Sequence, residues 1–175
     1  MFNESNTIEI YIIQLLTGQH PVTQGPAITK ETRTGYGTLR VGWEYIYGPA
    51  LPRQSGDVLI EEYVRQALIR LNPEIAAQPD RADEVLYKLR AILLSVQAEG
   101  LVRANELMAE WLRGDKSMPF GPNHEYTPVK LIELEDLARN DYILSNQVTY
   151  KAGRLEKRFD LVLFVNGIPL VSNDN

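Results

Sequence analysis

Asp160 is the residue with the most chemistry to explain. It stands near the start of Phe159-Asp160-Leu161-Val162-Leu163-Phe164-Val165, a run otherwise apolar on both faces. An ionised carboxylate there must be met by a cation, a hydrogen-bond network or a metal ion. A salt bridge to Arg154, Lys157 or Arg158 is the plain alternative to a metal site. Lys151, Arg154, Lys157 and Arg158 cluster just upstream. Such a group suits nucleic-acid phosphates, and a solvated loop explains four charges equally well. His20 and His124 lie in loops bearing Pro and Gly, with no partner at metal-ligand spacing. Cysteine is absent, which excludes thiol catalysis, disulfides and Cys-based zinc sites. No G-x-x-x-x-G-K-[ST] segment occurs, so ATP binding finds no support in these residues.

The elements that must position Asp160 follow from periodicity. Ile8, Ile12, Leu15 and Leu16 repeat at helical spacing behind Asn6 and Glu9, a capping-box pair, and predict a helix over residues 6–17. Residues 18–38 have no apolar period and exceed an ordinary loop, so a mobile insertion is expected. Residues 39–47 alternate Val41, Trp43, Tyr45 and Tyr47, which suits a short strand. Helices are predicted over 57–71, with Asp57 as cap and Asn72-Pro73 as stop, over 81–97 behind Asp80, and over 101–113 before Gly114.

Past residue 128 the period changes from 3.6 to 2. Strands are expected over 129–134, over 142–150 and, as a central strand, over 159–165. Asn166-Gly167 then makes a hairpin turn into a returning strand from Ile168 to Val171. Helical periods first and strand periods later predict an α+β fold, helices packed on an antiparallel sheet with a C-terminal hairpin.

Hydrophobic residues make up 44% and charged residues 23% of the 175, enough apolar content for one domain with a real core. Eighteen Lys and Arg against 23 Asp and Glu give −5, so any contact with nucleic acid must be through a local patch. No stretch reaches the ~18 apolar residues of a membrane span, and the first residues carry no basic leader. A cytoplasmic protein with no membrane partner is the default expectation.

The run from Asn140-Asp141-Tyr142 through Asn146-Gln147-Val148-Thr149, followed by Arg158-Phe159-Asp160 through Phe164-Val165-Asn166-Gly167-Ile168-Pro169-Leu170-Val171, resembles the amino-terminal nuclease domain of type I restriction enzyme R subunits. Val129-Lys130-Leu131-Ile132, Leu71-Asn72-Pro73 and Gly42-Trp43-Glu44-Tyr45 look like the same family, and the likeness covers most of residues 39–171. The resemblance implies a PD-(D/E)xK, restriction-endonuclease-like core. On its hairpin an Asp and a second acid hold Mg²⁺ for DNA cleavage while a Lys assists the attacking water. Asp160 is then the first metal ligand. The second acid is expected fourteen residues on, at Asp174, and the Lys at position 176, where this sequence has none.

A strict two-residue hairpin sets Asp160 opposite Asn173 and turns Asp174 to the other face, whereas a bulge near Pro169 would restore it. Family nucleases also use a Glu on a helix ahead of the hairpin. Glu9 and Glu61 are the candidates, with a solvent-facing Glu the alternative for each. The implied protein is an amino-terminal fragment, its core incomplete at the last strand, inactive alone and lacking the motor domain in which the family uses ATP. Its implied partners are DNA and the modification and specificity subunits. The competing readings are a non-catalytic DNA-binding or subunit-assembly module and an unrelated α+β protein whose Asp160 is a salt-bridge residue.

Overall fold

The computed structural model describes residues 4–18 and 42–173. In chain order these form helix α1 (Glu4–Thr17), strand β1 (Trp43–Tyr45), helices α2 (Glu61–Leu71), α3 (Pro73–Ala77), α4 (Arg81–Glu99) and α5 (Leu101–Leu112), and two-residue strands β2 (Ser117–Met118) and β3 (Thr127–Pro128). The long strands β4 (Tyr142–Ala152) and β5 (Leu155–Val165) follow, and then β6 (Ile168–Asn173). The insertion expected at 18–38 lies, apart from Gly18, outside the described residues. The chain divides into two compact units, residues 1–60 with 141–175 and residues 61–140.

The first unit is a four-stranded sheet in the order β1-β4-β5-β6. Phe159 to Val165 is central, as its two apolar faces require. The sheet is mixed rather than antiparallel, because β1 runs parallel to β4. A strand drawn from so far upstream is free to enter in either direction, and the triplet Trp43-Glu44-Tyr45 carries no directional signal. It is anchored by the Ile46 amide donating to the Leu144 carbonyl at 3.0 Å and by the Trp43 and Tyr142 rings, edge to face at 5.2 Å.

The Asn166-Gly167 turn has φ of 51° and 80°, the left-handed pair that a two-residue hairpin needs. Asn166 is buried and ties the turn down. Its Oδ1 accepts from the Asp141 amide, and its own amide donates to the Asp141 carbonyl, each at 2.8 Å.

The hairpin does not keep the strict register. Val165 pairs with Ile168 and Phe164 with Pro169, but Leu163 pairs with Val171 and Leu161 with Asn173. Leu170 is therefore the extra residue of a bulge, beside a proline that has no amide to give the ladder. Asn173 stands opposite Leu161, not opposite Asp160.

Helix α1 packs on this sheet through Ile13, which is buried against Leu144 and Leu161, with Ile12 and Leu16 at the margin. The expected stripe is rotated: Ile8 and Leu15 are exposed. The face turned inward is Glu9, Ile12, Ile13 and Leu16, also at i, i+3, i+4 and i+7 but with a carboxylate among its members.

The second unit is mainly helical. Val64, Ala67, Leu68 and Leu71 are buried from α2, Val85, Leu86, Leu89 and Ile92 from α4, and Ala104 and Trp111 from α5. Helix α2 starts four residues later than Asp57. That carboxylate instead accepts from the Gln54 amide at 3.0 Å, while Arg53 donates to the Asp57 carbonyl, and together they hold a turn. Pro73 stops α2 and then opens α3 at its first position, where a missing amide costs nothing.

Residues 129–134, expected as a strand, are irregular. The buried Asn72 side chain accepts from the Lys130 amide at 2.7 Å and donates to the Lys130 carbonyl at 2.9 Å. Groups that would enter a ladder are thus already satisfied. Glu133 does the same nearby, accepting from the Glu135 amide at 3.1 Å and pairing with Lys130 at 3.0 Å.

Among the described residues no helix is long and apolar enough to cross a membrane. Replacing Asn72 by Ala strands buried backbone groups at Lys130. A loss of about 2–3 kcal/mol is expected for unfolding of the helical unit in urea. An unchanged midpoint would mean that Asn72 is not what holds this segment out of a sheet.

Candidate functional site

Glu9 is turned onto the sheet by the packing of Ile13, and only 7% of it is exposed. Gln147 Nε2 donates to Glu9 Oε2 at 3.4 Å, and the Asn146 side chain is hydrogen-bonded to the same carboxylate. Because Asn146 Oδ1 accepts from the Tyr45 hydroxyl at 2.8 Å, its amide nitrogen is the group left to donate to Glu9. Strands β1 and β4 thus supply a relay from a phenol through an amide to a carboxylate.

Burial pushes the Glu9 carboxyl above the usual range. Gln147 opposes that shift by donating, the negative charge of Asp160 adds to it, and Arg158 opposes it. Asp160 is half-buried near the middle of β5. Gln147 stands across from it, since Asn146 pairs with Leu161 and Val148 with Phe159. The charge of Asp160 on β5 thus acts on Glu9 of α1, far from it in sequence. Two carboxylates suit a hard oxygen-seeking cation such as Mg²⁺, which commonly binds one or two of them and completes its shell with water. Among the described residues no set of three His, Cys, Asp or Glu side chains converges.

The other candidates fall elsewhere. Glu61 opens α2 in the second unit, where Arg90 binds it in a two-pronged pair and holds its carboxyl below the usual range by hydrogen bonding. Asp174 and His20 lie outside the described residues, and His124 is exposed.

Lys151, Arg154, Lys157 and Arg158 are all exposed at the far end of the β4–β5 hairpin. Past Leu161 that hairpin is a two-stranded ribbon among the described residues, since β1 pairs only as far as Leu144 and β6 reaches Leu161. Lys151 is 3.8 Å from Glu156, and Lys157 stands over the Phe159 ring at 5.0 Å. Arg158 contributes its charge at Glu9. Tyr45, Asn146 and Gln147 were not foreseen as site residues. The sign available for the last two is an adjacent pair of amides interrupting an apolar alternation.

The family described as "Type I restriction enzyme R protein N terminus" matches residues 1–172. The chain belongs to this family. It is 30% identical over 142 residues to the type I restriction enzyme HindI endonuclease subunit of Haemophilus influenzae, an alignment covering 75% of this chain and 13% of that protein. It is 25% identical over 142 residues to the putative type I restriction enzyme MjaIXP endonuclease subunit of Methanocaldococcus jannaschii, covering 74% of this chain and again 13% of the relative. The chain thus spans about an eighth of the length of these curated relatives. No solved structure matches it.

The coupling of the two acids has a measurable sign. In metal-free buffer, Asp160→Asn should lower the Glu9 carboxyl pKa toward the ordinary glutamate value, read by ¹³C NMR of labelled Glu. An acid raised in the folded state favours folding below its unfolded pKa, and that contribution is lost as pH rises through the folded value. Glu9→Gln should therefore be more stable than the parent above that window and gain nothing below pH ~4. Equal Glu9 titration with and without Asp160 would show that the two carboxylates do not sense each other.

Proposed function

We propose that this chain is the amino-terminal nuclease region of a type I restriction enzyme R subunit, and that the Glu9–Asp160 site serves Mg²⁺-dependent cleavage of DNA by the longer protein. The observation carrying this reading is that Gln147, which donates to the buried Glu9 of the first helix, stands across from the central-strand Asp160. A bound Mg²⁺ would supply Lewis-acid polarisation of the phosphate and a more acidic bound water. The chain's own residues do the rest. Asp160 and Glu9 would hold the ion through carboxylate oxygens, and the amides of Asn146 and Gln147 keep Glu9 aimed. Lys151, Arg154, Lys157 and Arg158 would meet backbone phosphates along the ribbon, as point charges that position DNA without reading its sequence.

By the resemblance, the second acid is expected fourteen residues after Asp160, at position 174, an Asp in this sequence. The lysine that the resemblance implies is expected at position 176, outside these 175 residues, and a site tested without one comparable electrostatic donor loses about 10² to 10³ in rate. Further parts of the proposal are a cytoplasmic location, assembly with modification and specificity subunits, and ATP use only outside these 175 residues. A second reading, a non-catalytic DNA-binding or assembly module, is favoured by the exposed basic ribbon.

Mg²⁺ titrated into the ¹⁵N-labelled chain should shift resonances around Glu9, Asp160 and Gln147, and the shifts should vanish in Asp160→Asn. Equal responses in both proteins would remove the metal role and leave the binding-module reading. With supercoiled plasmid and Mg²⁺, the chain alone should nick no faster than Asp160→Ala. Nicking that disappears in that variant would show that the 175 residues complete a working site without a strand lysine.

A further inference from the structure

Successive side chains of a strand point to opposite faces, yet Asn146 and Gln147, neighbours on β4, both reach Glu9. The backbone explains it. Gln147 has φ of +57°, a left-handed conformation in the middle of a strand. It turns the side chain out of the alternation that Asn146 obeys with Leu144 and Val148. For a residue with a Cβ that conformation is strained, at a cost of order 1 kcal/mol, and it persists only where surrounding structure enforces it.

Gly48 packs directly against that backbone. A Cβ built on Gly48 would lie 2.5 Å from the Asn146 carbonyl oxygen, 2.7 Å from that of Gln147 and 2.9 Å from the Gln147 carbonyl carbon. All three are main-chain atoms with no side chain to swing away, so any other residue at 48 displaces the strand. Leu144 accepts from the Ile46 amide at 3.0 Å, which fixes the 46–48 segment against β4.

We infer that Gly48 and Gln147 form a positioning device for the candidate site: glycine lets the strand backbone turn left-handed, and that turn brings two adjacent amides onto one buried carboxylate, Glu9, across from Asp160. Gln147 is a positioning residue, acting through Glu9, and Gly48 acts through Gln147. The inference rests on the Glu9–Asp160 site proposed above, and it names the part of the fold that aims it. Residues that orient a metal-binding group typically carry 10- to 100-fold in metal affinity.

The test uses the whole 175-residue chain, Mn²⁺ as the probe ion followed by electron paramagnetic resonance, and the side-chain amide signals of Asn146 and Gln147 with the Glu9 carboxyl signal in NMR spectra. Gly48→Ala should move all three signals together and weaken Mn²⁺ binding at least tenfold. Gln147→Gly accepts φ of +57° without strain. It should leave the Asn146 signal in place while shifting Glu9 and weakening Mn²⁺ about tenfold.

That variant stays informative even if Gly48→Ala fails to fold. Glu9 and Asn146 signals that do not respond to Gly48→Ala, or a Glu9 signal that does not respond to Gln147→Gly, would overturn the device. Asp160→Asn separates the two proposals. Loss of Mn²⁺ in Asp160→Asn with parental affinity in Gln147→Gly overturns the device alone. Parental affinity in Asp160→Asn overturns the metal site, and the NMR signals then decide the device.

Discussion

A carboxylate taken out of water must be met by donors, and the burial of Glu9 on the sheet sets the terms for the rest of the first unit. Helix α1 has two apolar stripes, Ile8 with Tyr11 and Leu15, and Ile12 with Ile13 and Leu16, and hydrophobicity alone prefers neither. The first stripe is left exposed. The second goes inward although Glu9 belongs to it, which is affordable only because Asn146 and Gln147 donate to that carboxylate. Which way the helix faces is thus tied to what β4 offers, and a polar requirement chooses between two apolar options.

This coupling explains why the architecture was more legible than the site. Helices over α2, α4 and α5 and the long β4–β5 hairpin announce themselves through local periodicity, and the Asn166-Gly167 turn through the dihedrals it demands. The parallel entry of β1 and the orientation of α1 are settled by partners a hundred residues away and leave no local trace. The same holds for residues 129–134, whose alternation is real but whose ladder groups are taken by Asn72. Glu9 was named through family likeness rather than through any property of its own helix. Gly48 was not named at all, because a glycine required by another strand's carbonyls looks like any glycine in a turn.

The bulge at Leu170 shows how a small local departure alters a chemical conclusion. Counting residues through an ideal hairpin sets Asn173 across from Asp160, and the extra residue moves that partner to Leu161. Every side chain past the bulge changes face, since the strand repeat is two. Pro169 makes the irregularity tolerable by having no amide to forfeit, but proline also occurs in edge strands without a bulge. Sequence therefore permits the shift without requiring it.

The two irregularities of the sheet lie on either side of the same strand. Leu170 shifts β6 along β5, and Gln147 turns β4 across from Asp160, so the central strand that carries the carboxylate is itself regular while both neighbours depart from the ideal. A regular central strand is a good mount for one acid but cannot aim a second. The aiming is left to strands whose backbones were bent for the purpose, with strain that the surrounding packing must hold in place. Relieving it at Gln147 would release strain but also withdraw a donor from the buried Glu9, so the strained residue persists because the carboxylate it meets requires it.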